Sequence, residues 1–294
     1  MKIGLIGSPE NRYLQQMNDG FAARGHETVC FELPEVLATL GTLDSSETSL
    51  QLQSVSHRLE ELDCCFVRTV PAGSLEQIVY RMDALWALEQ MGVRLINPAK
   101  GLECAVDKYL TFVRLQRAGI AFPRTWVCES TTQAVAEFEK FGKPMILKPI
   151  FGSEGRGLML IDSVDLLWRI GKSLEQTRHV LYLQEYLESS PTDLRLLVFE
   201  DEVWGAYERE KTTFRSNTAY QPIVRSIRPT ADMEQLAIKA TQATGCRFAG
   251  VDLIHCPQRG WLVLEVNGIP GWKQFEETTG IHVVDRIGDW LESC

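Results

Sequence analysis

Residues 250–271, G-V-D-L-I-H-C-P-Q-R-G-W-L-V-L-E-V-N-G-I-P-G, hold three oxygen-bearing side chains in a strand–turn–strand pattern. The β-rich runs on either side of Pro257-Gln258-Arg259-Gly260 predict an antiparallel hairpin. A register symmetric about that turn sets Cys256 opposite Trp261 and Asp252 opposite Glu265. Directly opposed residues on one face lie about 5 Å apart at Cβ, where like charges repel. Asn267, two residues beyond Glu265, points to the same face. Two carboxylates and a carboxamide oxygen gathered there suit a hard, oxygen-seeking cation, most simply Mg²⁺, with Mn²⁺ as an alternative. The opposing reading is a solvated sheet face. It fits poorly, because Val251, Leu253, Val263, Leu264 and Val266 make both runs apolar.

A second group of residues suits phosphate. Phe151-Gly152-Ser153-Glu154-Gly155-Arg156-Gly157 lies between two strand-like runs, 144–149 and 159–161. Glycines let backbone N–H groups approach phosphate oxygens closely, so such a hairpin loop can close over a nucleotide. This is not a Walker A loop, which needs G-K-[ST] opening a helix. Lys148 stands just upstream in an apolar run, where an ammonium group is expensive without a partner. The run Tyr182-Leu183-Gln184-Glu185-Tyr186-Leu187 alternates polar and apolar residues and leads to Asp193-Leu194-Arg195. It offers backbone and carboxylate groups to a purine nucleoside, or else it is an ordinary strand and turn. Arg209, Lys211 and Arg215, with Ser216 and Asn217, form a cationic run among Trp204, Tyr207 and Phe214. Partly buried strands make such a run costly without an anionic ligand, although a solvated charged face is the commoner use.

The elements that must position these residues begin with alternating β and α units. Strands are expected at 2–6, 28–32, 62–68 and 93–96, with helices at 11–24 and 75–91. That alternation predicts a parallel sheet with helices on both faces. A dinucleotide-binding fingerprint is missing, because Gly4-Leu5-Ile6-Gly7-Ser8 does not develop into GxGxxG. The polar, Ser/Thr-rich stretch 39–56 reads as a loop, and Asn97-Pro98-Ala99 marks a domain boundary. Further helices are expected at 106–118, stopped by Gly119, and at 132–141 and 231–244.

The 294 residues have room for two or three packed units. A net charge of −9 disfavours a broad grip on nucleic acid. The 8 cysteines show no CxxC and no metal-like spacing with histidine, so reduced thiols in a cytoplasmic protein are expected. No apolar run reaches the roughly 18 residues of a membrane span, and the first residues do not make a signal peptide. A homo-oligomer is compatible with the sequence.

Taken in order, the motifs resemble the ATP-grasp superfamily, and within it the RimK-like amino-acid ligases. The resemblance spans essentially the whole chain. It rests on Asp107-Lys108 opening a helix, Lys148, F-G-S-E-G-R-G at 151–157, Gln184-Glu185-Tyr186 and Asp193-Leu194-Arg195. Phe214-Arg215-Ser216-Asn217, G-V-D at 250–252, E-V-N-G-I-P-G at 265–271 and Thr278-Thr279-Gly280-Ile281 complete it.

The resemblance implies an ATP-grasp fold of class α/β, with an α+β ATP-grasp part. Its parts would be an N-terminal Rossmann-like domain at 1–98, a central lid at 99–180 and a C-terminal domain at 181–294. It also implies that Lys108 and Lys148 contact ATP phosphates under the loop containing Gly152, Ser153, Glu154, Gly155 and Gly157. Gln184, Glu185 and the backbone beside Tyr186 would hold adenine, and Asp193 would lie near the ribose. Arg215, Ser216 and Asn217 would line the phosphate and substrate side. Arg215 is the candidate for transition-state stabilisation, supported by Arg209 and Lys211. Asp252, Glu265 and Asn267 would ligate Mg²⁺.

The implied reaction is ADP-forming amide synthesis through an acylphosphate, adding an amino acid, L-glutamate by preference, to a small-molecule carboxylate acceptor. The alternatives are glutamylation of a protein tail, ligation of another amino acid, or a non-catalytic ATP-binding protein. Two departures from the family pattern fall on the substrate side. Thr218-Ala219-Tyr220-Gln221-Pro222 replaces a His- and Gly-rich loop, and Asn267-Gly268-Ile269-Pro270-Gly271 replaces Asn-x-Ser-Pro-Gly. Tyr220 and Trp272 either offer aromatic faces to a flat acceptor such as a pterin or pack internally.

Overall fold

A computed structural model describes residues 1–42, 48–54, 57–152, 157–187, 192–210 and 223–293. The chain forms two compact units, the first from Met1–Glu103, Gly245–Ala249 and Gly268–Cys294, the second from Cys104–Thr244 and Gly250–Asn267. This division differs from the boundaries expected from sequence: residues 99–103 of the expected lid and 245–249 and 268–294 of the expected C-terminal part belong to the first unit.

The first unit begins β1 (Lys2–Ile6), α1 (Arg12–Ala23), β2 (Glu27–Phe31), β3 (Val36–Thr42), β4 (Thr48–Ser54), β5 (His57–Arg58) and β6 (Cys64–Val67). It continues with α2 (Leu75–Gln90), β7 (Arg94–Ile96) and the start of α3 (Ala99–Val106). Helix starts follow local chemistry: Asn11 accepts from the N–H groups of Tyr13 and Leu14, and Ser74 and Gln77 form a capping box on α2. β2, β1, β6 and β7 form a parallel sheet in that order, as expected. Stretch 39–56, expected to be a loop, is instead mostly the hairpin β3–β4. Threonines there are β-branched strand formers, and Leu50 and Leu52 alternate with glutamines. Leu52 is buried in the unit's core with Phe31, Leu59 and Leu85.

Buried Asn97 ties the later segments into this unit. Its Oδ1 accepts from the N–H groups of Arg247 and Phe248, both at 2.7 Å. Its Nδ2 donates to the carbonyls of Phe248 at 2.6 Å and Gly268 at 2.5 Å. Both amide ends are thereby satisfied.

The second unit carries α4 (Lys108–Arg117), β8 (Thr125–Cys128), α5 (Thr131–Phe141), β9 (Met145–Lys148), β10 (Met159–Ile161), α6 (Val164–Gln176) and β11 (Leu181–Glu185). β10, β9, β11 and β8 make an antiparallel sheet in that order. Phe138 of α5 and Leu167 of α6 pack with Met145, Leu147 and Leu183 to form its core. The glycine loop therefore joins the antiparallel pair β9 and β10, as the sequence predicted.

A second sheet follows from β12 (Thr192–Phe199), β13 (Glu202–Glu210), β14 (Val224–Ile227), β15 (Phe248–Cys256) and β16 (Gly260–Asn267), with α7 (Ala231–Thr244) before β15. Its order is β14-β13-β12-β15-β16. Helices α8 (Lys273–Thr279) and α9 (Val283–Ser293) return to the first unit.

Candidate active site

The hairpin β15–β16 sets Asp252 opposite Glu265, as expected, but by an unexpected route. Its turn is asymmetric. Gly260 takes the left-handed conformation at φ 72°, and Cys256 faces Gly260 rather than Trp261. His255 faces Trp261, and the register then shifts between Leu253 and Asp252. Leu264 is the extra residue that brings Asp252 and Glu265 back into opposition.

Strand order explains what surrounds this pair. β12 lies between β13 and β15, so charged residues of three neighbouring strands meet on one face. Arg195 grips Asp252 with both arms of its fork, Nε to Oδ1 at 2.6 Å and Nη2 to Oδ2 at 2.7 Å. Arg209 donates through Nε to Asp193 at 2.5 Å and pairs through Nη2 with Asp252 at 2.9 Å. Asp193 and Arg209 are register partners, and Arg195 shares the face of Asp193 two residues on. All four are largely sealed from water: Asp193 is 1% exposed, Asp252 2% and Arg209 7%, and the Arg195 side chain is 12% exposed.

Burial alone would push the Asp252 carboxyl up, but the two guanidinium groups outweigh it and hold it at about 2. Burial likewise depresses both arginines, and Asp252 beside them more than compensates, so both lie above the ordinary value. Half-buried Glu265 stands across from this network, and its carboxylate forms no hydrogen bond or ion pair among the described residues. Asn267, the last residue of β16, faces Gly250.

The expected phosphate groups gather around the β9–β10 loop. Asp107 caps α4 by accepting from the N–H groups of Tyr109 and Leu110, which leaves Lys108 at the helix start. Lys108 Nζ donates to the Gly152 carbonyl at 2.7 Å and the Ile150 carbonyl at 3.4 Å. Burial pulls its ammonium below the usual value, while the charges of Glu265 and Asp107 draw it back. Lys108 thus links the loop to the carboxylate hairpin electrostatically. Lys148, at the end of β9, donates to Gln184 Oε1 at 2.6 Å, and Gln184 Nε2 donates to Thr125 at 3.1 Å. Buried Gln184 is therefore the strut that aims Lys148. Gly152 and Gly157 both have positive φ, a backbone conformation that other residues adopt only under strain, and a Cβ at either would lie in ordinary contact with Pro149 at 3.4 Å. Ser153, Glu154, Gly155, Lys211, Arg215, Ser216, Asn217 and Tyr220 lie outside the described residues.

Other expected residues have specific occupations. Glu185 accepts from Arg259 Nη2 at 2.6 Å and from the Arg124 N–H at 3.1 Å. The Tyr186 N–H donates to the Pro144 carbonyl at 3.2 Å. Asp193 is occupied by Arg209, with its second oxygen buried and without a hydrogen bond. Trp272 is 0% exposed and packs against Tyr13 and Phe248, so the internal-packing reading holds for it. Sequence reasoning gave Arg195 no role of its own. The available signal was a lone arginine in the apolar run L-R-L-L-V-F, which has to find a counter-charge.

The donor set fits a divalent cation. Glu265 has an unengaged carboxylate, Asn267 supplies an amide oxygen, and Asp252 Oδ1 accepts a single hydrogen bond, which leaves a lone pair. Among the described residues no group of three or more His, Cys, Asp or Glu side chains forms a metal cage, so such an ion would depend on oxygens from a bound substrate as well.

Comparison with solved structures shows the fold, and the family match that follows defines the class. The chain superposes on the ATP-grasp ligase PsnB complexed with its minimal precursor at TM-score 0.76, covering 99% of this chain and 98% of that one at 20% identity. Residues 105–291 match the RimK-like ATP-grasp domain, and the chain belongs to that family. It is thus an ATP-grasp ligase joining a carboxylate to an amine. A relative, the tetrahydromethanopterin:alpha-L-glutamate ligase of Methanocaldococcus jannaschii, is 33% identical over 236 residues, 78% of this chain and 79% of its own length. The alpha-aminoadipate–LysW ligase LysX of Saccharolobus solfataricus is 28% identical over 214 residues, 70% of this chain and 78% of its own.

Proposed function

We propose that this ligase adds L-glutamate to a small-molecule carboxylate acceptor at the expense of ATP, with Mg²⁺ as its metal. The observation that carries the site assignment is the Glu265 carboxylate, without a partner among the described residues, opposite the arginine-bound Asp252 and within the field of Lys108. The likeness to the tetrahydromethanopterin:alpha-L-glutamate ligase supports the choice of glutamate and of a small acceptor.

In this reading Lys108, Lys148 and the loop 152–157 hold the ATP phosphates, with Gln184 keeping Lys148 in place. The acceptor carboxylate attacks the γ-phosphorus, giving an acylphosphate and ADP, and the glutamate amine then displaces phosphate to form the amide. Glu265, Asp252 and Asn267 would hold Mg²⁺, which spreads the charge developing on the transferred phosphoryl group. Positioning and fixed charge carry the reaction, so no nucleophilic side chain is required. Arg215 is assigned transition-state stabilisation and Lys211, Ser216 and Asn217 anion and substrate contacts on the family resemblance, all four lying outside the described residues. Arg209 acts through its hold on Asp193 and Asp252. The backbone beside Tyr186 receives adenine.

The assay combines purified protein, Mg-ATP, isotopically labelled L-glutamate and a cell extract, with mass spectrometry following the label. Label in a small molecule supports the proposal, and label on a polypeptide turns it toward protein-tail modification. ADP without label points to another amino acid, the choice that the likeness to the alpha-aminoadipate–LysW ligase would favour. Glu265→Gln removes a ligand charge at constant volume, so ADP formation should drop by about a hundredfold or more, several kcal/mol, in a folded protein. Undiminished ADP formation by that variant would remove Glu265 from the metal site.

A further inference from the structure

The parallel sheet of the first unit has its own crevice. From β1 the chain crosses to β2 on one side, while β6 lies on the other. The carboxyl ends of β1 and β6 therefore flank a topological switch point, where open α/β sheets receive ligands. The two loops there approach closely. Gly7 follows β1 with φ 149°, and a Cβ on it would sit 3.2 Å from the Thr69 hydroxyl.

Arg68, the first residue past β6, lies at this point and is 6% exposed. Its Nη2 donates to the Pro270 carbonyl at 2.6 Å, and its guanidinium carbon lies 4.4 Å from the Trp272 ring and 5.3 Å from that of Tyr13. No carboxylate pairs with it among the described residues. Nε is sealed and without a hydrogen bond, while Nη1 has no partner either and is not sealed. Burial lowers its pKa to about 10, against a small opposing influence of Tyr13. The other buried arginines are better served: Arg195 and Arg209 face carboxylates, and Arg81 donates to the Pro71 and Ala72 carbonyls.

We infer that Arg68 is the recognition group of a carboxylate-binding site at the switch point of the first unit. Nη1 and the second N–H of Nη2 form the end-on fork that matches the two oxygens of a carboxylate. The rings of Tyr13 and Trp272 hold the guanidinium plane, so little side-chain freedom is lost on binding. That the natural carboxylate is a non-reacting one on a substrate of the ligase rests on the proposed function; the site itself does not.

The test uses the full chain without ATP, so a failed ligase assay and a failed site are told apart. Glutarate is the probe, with glutaramide as its neutral counterpart and inorganic phosphate as a competing anion. In protein with isotopically labelled arginine, the Arg68 side-chain resonance is assigned by its loss in Arg68→Met. Glutarate should shift that resonance saturably and glutaramide should leave it in place. By calorimetry, Arg68→Met should lose at least about tenfold in glutarate affinity, and Arg68→Lys should lie between it and wild type. A resonance unmoved by glutarate, or equal glutarate affinity in Arg68→Met and Arg68→Lys, would overturn the inference. A shift with phosphate alone would overturn the carboxylate assignment. Should Arg68→Met fail to fold, Arg68→Lys and the wild-type resonance decide.

Discussion

Arg195 and Arg209 in the second unit and Arg68 in the first are all buried, yet they meet burial in different ways. The first two share carboxylates across three strands, so Asp252 raises both above the ordinary arginine value. Arg68 has aromatic faces and one carbonyl, and burial depresses it. A compensated guanidinium can be fixed as architecture, and Arg195 and Arg209 hold Asp252 in place behind Glu265. An uncompensated one stays ready for an anion from outside. Breaking the charge network around Asp252 should therefore matter greatly to stability, and removing the Arg68 charge should matter little.

The largest effect is expected at the shared carboxylate. Asp252→Asn strands two buried arginines, and a broken buried pair costs about 3–5 kcal/mol, measurable by denaturant unfolding. A loss under about 1 kcal/mol would mean that water already serves these arginines. Acid sharpens the same point. The Asp252 carboxyl is held at about 2, whereas an aspartate in the unfolded chain titrates at about 3.9. Its stabilisation is complete above that unfolded value and is lost as pH falls through the folded one. The stability gap between wild type and Asp252→Asn should thus narrow from about pH 4 to about pH 2; a constant gap would assign the stabilisation elsewhere.

Asp193→Asn should cost less, about 1–3 kcal/mol, because Arg209 keeps Asp252. Arg259→Met breaks a partly exposed pair with Glu185, the side chains being 32% and 14% exposed. Thermal unfolding should register at most about 1 kcal/mol. Arg68→Met should be smallest, within about 1 kcal/mol of wild type in either direction, because it removes a buried charge that has no ion pair among the described residues. A loss as large as that of Asp252→Asn would make Arg68 structural and erase the contrast.

Much of this was legible from local pattern. Alternating strands and helices, the capping residues and the glycine-turned hairpins depend on neighbours a few residues apart, and the parallel sheet, the β9–β10 loop and the Asp252–Glu265 opposition followed. Stretch 39–56 reads as a loop by its serine and threonine content, but the leucine–glutamine alternation that buries Leu52 makes most of it a hairpin. The opposition of Asp252 and Glu265 was reached through a turn register wrong by one residue, which the extra residue Leu264 then offset.

The sequence by itself determined the family, the paired carboxylates on adjoining strands and the lysine just upstream of a glycine loop, because residue type and short spacing specify them. Only the tertiary structure decided that Asp252 belongs to an arginine 57 residues away and that Gln184 aims Lys148. It alone also decided that Arg68 is enclosed without a counter-charge among the described residues. Those outcomes depend on which strands become neighbours, and strand order is set by burial of the whole core rather than by any local run of residues.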